Sequence, residues 1–355
     1  MLLKNMVKVL TDFILKNNQN QMLNKINYPL IIAEVDQAHE GSLGMAHAYI
    51  DAAAKAGAGA IKFQTHIASS ESTLDEPFRI KMSSQDKKRY DYWKRMEFTK
   101  IQWAELKNHA EDKNLLFLSS AFSKDAVDLL EELGMKYWKI ASGQIFDEIV
   151  LKRILQTKKP LLLSTGMCSY NDLDKIVLQV KESGNEFAIF QCTSSYPTSL
   201  KEIGINVLDE IEKKYNCPAG LSDHSGSIFP SLLALSKDAS FIEVHVTFSK
   251  DIYGPDVRSS VTFEELETIC NAAKAFKVMK ENKIDKNKIS PSLKKLFTKS
   301  LSLKTDLPKG TKIEEKHITT KKPGGGIKFE HRNQVIGKKL KKNVKANKLL
   351  KLKDF

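Results

Sequence analysis

Eight short apolar runs punctuate this chain, and each turns polar toward its C-terminal end. They are LIIAEV (30–35), AIKFQT (60–65), LLFLSS (115–120), YWKIAS (137–142), LLLST (161–165), FAIFQC (187–192), AGLSD (219–223) and FIEVHV (241–246). Amphipathic helix patterns lie between them. Ala126, Leu129, Leu130 and Leu133 stand at i, i+3, i+4 and i+7, with Ser123 placed as a cap before them and Gly134 as a stop after them. Leu173, Ile176, Val177 and Val180 repeat the pattern up to Gly184, and Leu43, Ala46, Ile50 and Ala53 carry it toward Gly57. Buried strands alternating with helices in this way predict a closed (β/α)8 barrel of the TIM type. An open doubly wound sheet is the competing architecture. It would normally carry a glycine-rich phosphate turn after its first strand, and no GxGxxG occurs in the sequence.

The chain of 355 residues is long enough for one large domain and a small one. Residues 1–27 read as an N-terminal helical extension, with Leu3, Met6, Val7, Leu10 and Ile14 on one face and a polar NNQNQ linker after them. Lys8 and Asp12 interrupt the apolar centre of that stretch, which argues against a secretory leader. Residues 28–280 form the predicted barrel, with its last helix beginning near Phe263. A linker is expected at 281–294 and a small β-rich domain at 295–355, with turn signals at Pro308–Gly310 and Pro323–Gly326. An insertion at 66–97, rich in charged and aromatic residues, follows the second strand and reads as an active-site lid.

The formal net charge is +13, yet residues 271–355 hold 25 Lys and Arg against 7 Asp and Glu, or +18, which leaves −5 for the remainder. The tail's lysines are scattered among turns without aromatic interleaving, so a solvated basic surface is preferred over a nucleic-acid or anionic-glycolipid binding module. No apolar run is long enough to cross a membrane. Cys168, Cys192, Cys217 and Cys270 lack CxxC spacing, which fits a reduced, cytoplasmic protein with neither zinc knuckle nor disulfide scaffold.

A barrel of this kind builds its site where the strands end. The polar residues at those ends are Glu34; Lys62 and Gln64; Ser119 and Ser120; Lys139 and Ser142; Ser164 and Thr165; Thr193, Ser194 and Tyr196; Ser222, Asp223 and His224; Glu243 and His245. Two lysines and several hydroxyls suit a small, highly anionic ligand. Two imidazoles suit a divalent ion such as Mn2+ (Mg2+ and Co2+ are alternatives) acting as a Lewis acid on a carbonyl. Glu34 is the candidate for proton transfer. Each residue also has a plain structural reading: a strand histidine bonded within the core, Lys62 reaching out between helices, Glu34 paired with a buried lysine. A Schiff-base aldolase would use Lys62 or Lys139 as its nucleophile, but would leave the histidines without a role.

The segments IIAEV..AHEGSLG (31–44), AGAGAIKFQTH (56–66), FLSSAFS (117–123), KIASG (139–143), LLSTGM (162–167), QCTSSYPT (191–198), GLSDHS (220–225), EVHVTF (243–248) and GPD (254–256) resemble those of N-acetylneuraminate (sialic acid) synthases. KKPGGGI (321–327) resembles the signature of their C-terminal antifreeze-like (SAF, β-clip) domain. The resemblance implies condensation of phosphoenolpyruvate with an acylated amino sugar, usually N-acetylmannosamine, to give a nonulosonic acid and phosphate. Legionaminic- or pseudaminic-type acceptors are the alternative. It implies His224 and His245 as ligands of Mn2+ or a similar ion. Lys62, Ser120, Lys139, Ser142, Ser164, Ser194 and Ser222 would stand at the phosphoenolpyruvate, and Glu34 would handle protons. Gln64, Tyr196, Asp256 and Lys322 would stand at the sugar. It also implies a domain-swapped homodimer, the antifreeze-like domain capping the partner's barrel.

Four departures stand out. The usual Gly-Ile-Asn after the first-strand glutamate is Asp36-Gln37-Ala38, and a glutamate often found after the fourth-strand glycine is Gln144. Ser194 replaces an asparagine, and Lys322 replaces an arginine, which keeps the charge but loses the planar fork. These changes predict an altered acceptor choice.

Overall fold

The computed structural model describes residues 22–27, 29–78, 85–281, 284–285, 288 and 290–355. The expected N-terminal helix therefore lies outside the described residues; beyond it a short 3-10 turn spans Leu23–Lys25. Eight parallel strands pair in sequence: β1 (Leu30–Glu34), β2 (Ala60–Thr65), β3 (Leu116–Ala121), β4 (Trp138–Ile140), β5 (Leu161–Ser164), β6 (Phe187–Cys192), β7 (Ala219–Asp223) and β8 (Phe241–Thr247). β8 then pairs with β1, from Leu30 opposite Phe241 to Glu34 opposite His245. That pairing closes the barrel and excludes the open sheet. A two-residue strand, β9 (Val261–Thr262), adds to β8 outside the ring.

Helices cover the outside where the periodicity predicts them. α1 (Leu43–Ala56) ends on Gly57 with φ +85°, and α7 (Tyr170–Ser183) ends on Gly184 with φ +74°. A Cβ-free residue accepts that left-handed turn without strain. α5 (Lys124–Glu132) is capped by Ser123, whose hydroxyl accepts from the Ala126 amide. The others, in chain order, are α2 (Ala68–Glu71), α3 (Arg89–Met96), α4 (Lys100–Asp112), α6 (Glu148–Gln156), α8 (Val207–Tyr215), α9 (Phe229–Ser236) and α10 (Phe263–Glu281). α2 and α3 lie within the 66–97 insertion, of which residues 79–84 are outside the described residues.

Strand alternation sorts side chains into two layers. Ile31, Ala33 and Val35 pack outward with the helices, together with Ile61, Phe63, Leu161 and Leu163. Leu30, Ile32, Ala60, Leu118, Leu162, Ala188, Phe190 and Phe241 form a separate cluster that fills the lower barrel. Phe190 and Phe241 lie 5.2 Å apart between ring centres. They need Gly220 beside them, because a Cβ there would come within 2.6 Å of Phe241 Cβ. Above this plug the same inward-facing columns continue as Glu34, Lys62, Gln64, Ser120, Lys139, Ser164, Ser222, Glu243 and His245. β1, β2, β3, β5 and β8 thus each carry an apolar inward residue first and a polar one two positions later.

The chain divides into two units at Glu281/Asn282. In the second, α11 (Pro291–Phe297) starts at the Ser290 cap, within the span expected as a linker. β10 (Ser300–Leu303) and β11 (Ile318–Lys321) form the one two-stranded sheet among the described residues of this unit. Isolated bridges pair Ser302 with Leu349, Leu307 with Val344, and Lys312 with Lys339. Leu301, Leu303, Ile313, Ile318, Val335, Leu340, Val344, Leu350 and Phe355 make its own small core. Both expected turns carry left-handed glycines, Gly310 and Gly325.

Candidate active site

Lys62 and Lys139 lie in the barrel interior, 3% and 2% exposed. Lys139 Nζ donates to Ser164 Oγ at 2.7 Å and to Glu243 Oε1 at 3.0 Å, and stands 4.8 Å above the Phe190 ring. Lys62 pairs with Glu34 at 2.9 Å and with Glu243 at 3.6 Å, and donates to Ser120 Oγ at 3.4 Å. Ser222 Oγ also donates to Glu243 Oε1, at 3.0 Å. Ser142 and Ser194 share a hydrogen bond of 2.9 Å between their hydroxyls. One carboxylate, Glu243 on β8, thus links two lysines and a serine from three other strands.

Buried charge on this scale is tolerated only when paired. Burial pushes the Glu34 carboxyl above its ordinary range, although Lys62 opposes the change. At Glu243 burial acts the same way, but Lys139 and Lys62 together outweigh it and hold the carboxyl below its ordinary range. Burial lowers the Lys139 ammonium. It would lower Lys62 too, but Glu243 and Glu34 outweigh it and the net direction is up. Two carboxyls in one site are therefore pushed apart, an arrangement that suits one to hold a proton and the other to stay an anion.

The histidines stand beside this charged half. Their ring centres are 5.1 Å apart, and Tyr196 lies 4.2 Å from His224 and 6.0 Å from His245. His224 Nδ1 lies 2.9 Å from the Thr193 carbonyl oxygen. A carbonyl only accepts, so Nδ1 carries the proton. Burial holds the His224 imidazole at about 3 and that of His245 at about 4. At neutral pH both rings are uncharged, and His224 keeps the lone pair on Nε2, the form a metal ligand requires.

Ligand atoms of Asp36, His245 and Asp256 all lie within 4.8 Å of one another, and all three residues are buried. This nitrogen and oxygen donor set fits a divalent ion. Bound there, the ion would act as a Lewis acid toward a carbonyl oxygen. Asp36 had no role assigned from the sequence, and Asp256 was expected at the sugar. The usable signal at Asp36 was its position, two residues beyond the last residue of β1.

Most of the expected residues converge: Glu34, Lys62, Gln64, Ser120, Lys139, Ser164, Ser222, Glu243 and His245 from the strands, and Ser142, Ser194, Tyr196, His224 and Asp256 from loops. Gln64 donates to Glu34 at 3.0 Å and accepts from Gln37 at 2.9 Å. Four strand-end residues point elsewhere, among them Thr165, whose hydroxyl donates to the Phe190 carbonyl, and Thr193, whose hydroxyl donates to the Glu202 carbonyl; the other two are Ser119 and Asp223. Ser119 Oγ bonds Thr65 Oγ1 and the Phe63 carbonyl, and Asp223 accepts from the Ser225 amide and hydroxyl. Ser119 and Asp223 are each one residue from an inward-facing serine, so the pleat turns them outward. Lys322 belongs to the second unit, where its Nζ lies 5.5 Å from the Phe297 ring centre.

The insertion after β2 meets the site through His66. This buried ring stacks on Trp93 at 4.1 Å and on Phe122 at 4.4 Å, and its Nδ1 lies 2.7 Å from Glu71. Its Nε2 lies 3.2 Å from Gln37 Nε2 and 3.3 Å from Gln64 Oε1.

The NeuB family profile matches residues 49–285. The chain belongs to the NeuB family. A SAF domain profile matches residues 298–355, so the second unit is the antifreeze-like domain that the sequence signature implied. An N,N'-diacetyllegionaminic acid synthase of Campylobacter jejuni is 32% identical over 334 residues, covering 91% of this chain and 98% of that protein. A pseudaminic acid synthase of the same organism is 33% identical over 332 residues, covering 92% and 96%. The crystal structure of an N-acetylneuraminic acid synthetase from Leptospira borgpetersenii, in complex with citrate, superposes with a TM-score of 0.64 at 28% identity. It covers 75% of this chain and 89% of its own.

Among the described residues, no helix of this NeuB family chain is long and apolar enough to cross a membrane.

Proposed function

We propose that this protein condenses phosphoenolpyruvate with an acylated amino sugar, forming a nonulosonic acid and releasing phosphate. The observation that carries the reading is the division of one buried site into two halves. Lys62 and Lys139, with the surrounding serines, form a cationic half; Asp36, His245 and Asp256, with the His224 ring centre 5.1 Å from that of His245, form a half suited to a divalent ion. Relatives named as legionaminic and pseudaminic acid synthases support the same reading.

Phosphoenolpyruvate is multiply anionic, and a dry pocket admits it only against fixed positive charge. The lysines hold the phosphate and carboxylate, exchanging part of their pairing with Glu34 and Glu243 for the substrate. The serine hydroxyls supply the remaining donors. A lysine already bonded to a buried carboxylate favours this anion-binding role over a Schiff-base nucleophile, which must be neutral. The divalent ion, Mn2+ in this reading, would polarise the open-chain aldehyde of the sugar.

Carbon–carbon bond formation uses the π electrons of phosphoenolpyruvate, and the aldehyde oxygen takes up a proton. Glu34, whose carboxyl burial pushes upward, supplies that proton. Water then adds at the cationic carbon that carried the phosphate ester and gives up a proton. Cleavage of the ester's carbon–oxygen bond releases phosphate and leaves the 2-oxo acid.

The acceptor is a diacylated deoxyhexose of the legionaminic or pseudaminic type in preference to N-acetylmannosamine. Two full-length relatives at 32% and 33% identity support this choice. So does Gln144, an amide where the resembled family often has a carboxylate; its buried Oε1 has no hydrogen-bond partner among the described residues. The same reading includes a domain-swapped homodimer and a cytoplasmic location, the latter in keeping with four free cysteines.

The test is a phosphate-release assay with purified protein, Mn2+, phosphoenolpyruvate and a panel of mono- and diacylated amino sugars. Release that depends on a diacylated sugar is expected. Release with N-acetylmannosamine alone would overturn the acceptor choice, and release with no sugar would overturn the reaction.

A further inference from the structure

Asp36 occupies the position at which the resembled family usually has glycine, and its backbone shows why glycine suits the site. Its φ is +52°, in the left-handed region. A non-glycine residue there is strained, although aspartate is among the side chains that tolerate it best. The side chain gained is a buried carboxylate, 5% exposed. One oxygen of it lies 3.8 Å from His245 Nδ1. Asp256, 9% exposed, completes the group, with one ligand atom from each residue within 4.8 Å of the others.

Two buried carboxylates and an imidazole at this spacing make a different site from two imidazoles alone. A pair of neutral rings offers a divalent ion no charge, so strong binding awaits an anionic or oxygen-rich ligand. Carboxylates add both charge and hard oxygen donors, which favour Mn2+ and Mg2+. The separation suits an ion between the three groups, since metal–ligand distances of about 2.0–2.6 Å place ligands on opposite sides of an ion roughly 4–5 Å apart.

We infer that Asp36 is a direct ligand of the divalent ion, together with His245 and Asp256, so that the ion binds before the sugar arrives. The inference rests on the metal-dependent reading proposed above and assigns this chain a ligand that the sequence resemblance does not supply. The strained aspartate at position 36 is retained for its carboxylate, because glycine would fit the backbone better.

Metal-stripped, full-length protein is titrated with Mn2+ in the absence of both substrates, and free Mn2+ is followed by electron paramagnetic resonance. The wild type is expected to bind one Mn2+ per chain. His245→Ala removes the site. Asp36→Gly is expected to weaken binding by about tenfold or more while leaving the melting temperature of the metal-free protein unchanged or higher. Asp36→Asn keeps the side-chain shape, removes the charge, and should also weaken binding. Wild-type affinity in either Asp36 variant would overturn the ligand assignment while leaving the metal reading intact. A wild-type protein that binds no Mn2+ without sugar would overturn the inference, and turnover in the phosphate-release assay would then show whether the metal reading survives it.

Discussion

Lys139 and Glu243, 104 residues apart in sequence, meet at 3.0 Å inside the barrel with almost no exposure to solvent. Lys62 shares the same Glu243 oxygen at 3.6 Å. Before substrate binds, this carboxylate is the counter-charge that keeps both ammoniums tolerable in the protein interior. Substituting Glu243→Ala should therefore destabilise the protein by about 3–5 kcal/mol, the range for removing one partner of a buried pair. Phosphoenolpyruvate should then raise the melting temperature of the variant more than that of the wild type. Unchanged stability in the variant would rule out the counter-charge role.

Removing a lysine should act on the anion and spare the metal. Lys139→Met and Lys62→Met are each expected to weaken phosphoenolpyruvate binding by about 10- to 100-fold, the loss of one charge-assisted hydrogen bond. Calorimetry without sugar measures this directly. Mn2+ affinity in the same variants should stay within a few fold of wild type; a parallel collapse would mean that the two halves of the site are not separable.

Acid should weaken the metal-free protein through its buried imidazoles. Burial lowers His39 and His224 to about 3 and His245 to about 4. In the unfolded chain they protonate near 6.5. Between about pH 6.5 and 4 the unfolded state binds the extra protons, so stability falls as pH falls, by on the order of 1.4 kcal/mol per unit for each imidazole. Glu34 and Asp36, raised by burial, act in the opposite direction above the ordinary carboxylate range. Comparing His224→Gln with wild type in chelator isolates one imidazole. The variant's denaturation free energy should fall less steeply between pH 6 and 5, by about one proton's slope; parallel profiles would contradict the neutral buried ring.

Trp93 ties α3 back to the start of the insertion by stacking on His66 and by donating its indole N–H to Glu76 at 3.1 Å. Trp93→Ala should lower hydrogen-exchange protection across residues 85–96 at least tenfold, with a smaller change in global melting temperature. Unaltered exchange would show that the segment is fixed by other contacts, foremost the Arg95 pairs with Asp86 and Glu40 at 2.7 and 2.9 Å.

Gln144→Glu restores the carboxylate that the resembled family often has. The ratio of kcat/KM for N-acetylmannosamine over a diacylated sugar should rise by about tenfold in this variant. An unchanged ratio would remove Gln144 from acceptor choice.

Much of this site was written along the strands. The run from Ile32 to Glu34, and from Leu118 to Ser120, needs only the two-residue strand period to place an apolar plug below and a polar group above. Cap residues such as Ser123 and glycines such as Gly57 and Gly184 marked the helix ends, because an orphan amide and a left-handed turn each demand a particular side chain. The sorting of Ser119 from Ser120, and of Asp223 from Ser222, was less visible. Both members of each pair sit at a strand end, and only a fixed register settles which one faces inward.

Sequence by itself thus determined the eightfold alternation, the two lysines and the histidine pair, since each follows from local period and residue type. The tertiary structure decided which partners those groups find. Closing β8 onto β1 brings His245 beside a loop that carries Asp36, and the chain returning from β8 delivers Asp256 to the same point. It also sets Glu243 between Lys62 and Lys139, although β2, β4 and β8 are not all neighbours in the ring. No local pattern encodes such meetings: they arise because a closed barrel turns the ends of distant strands toward one axis, where long side chains reach across the interior.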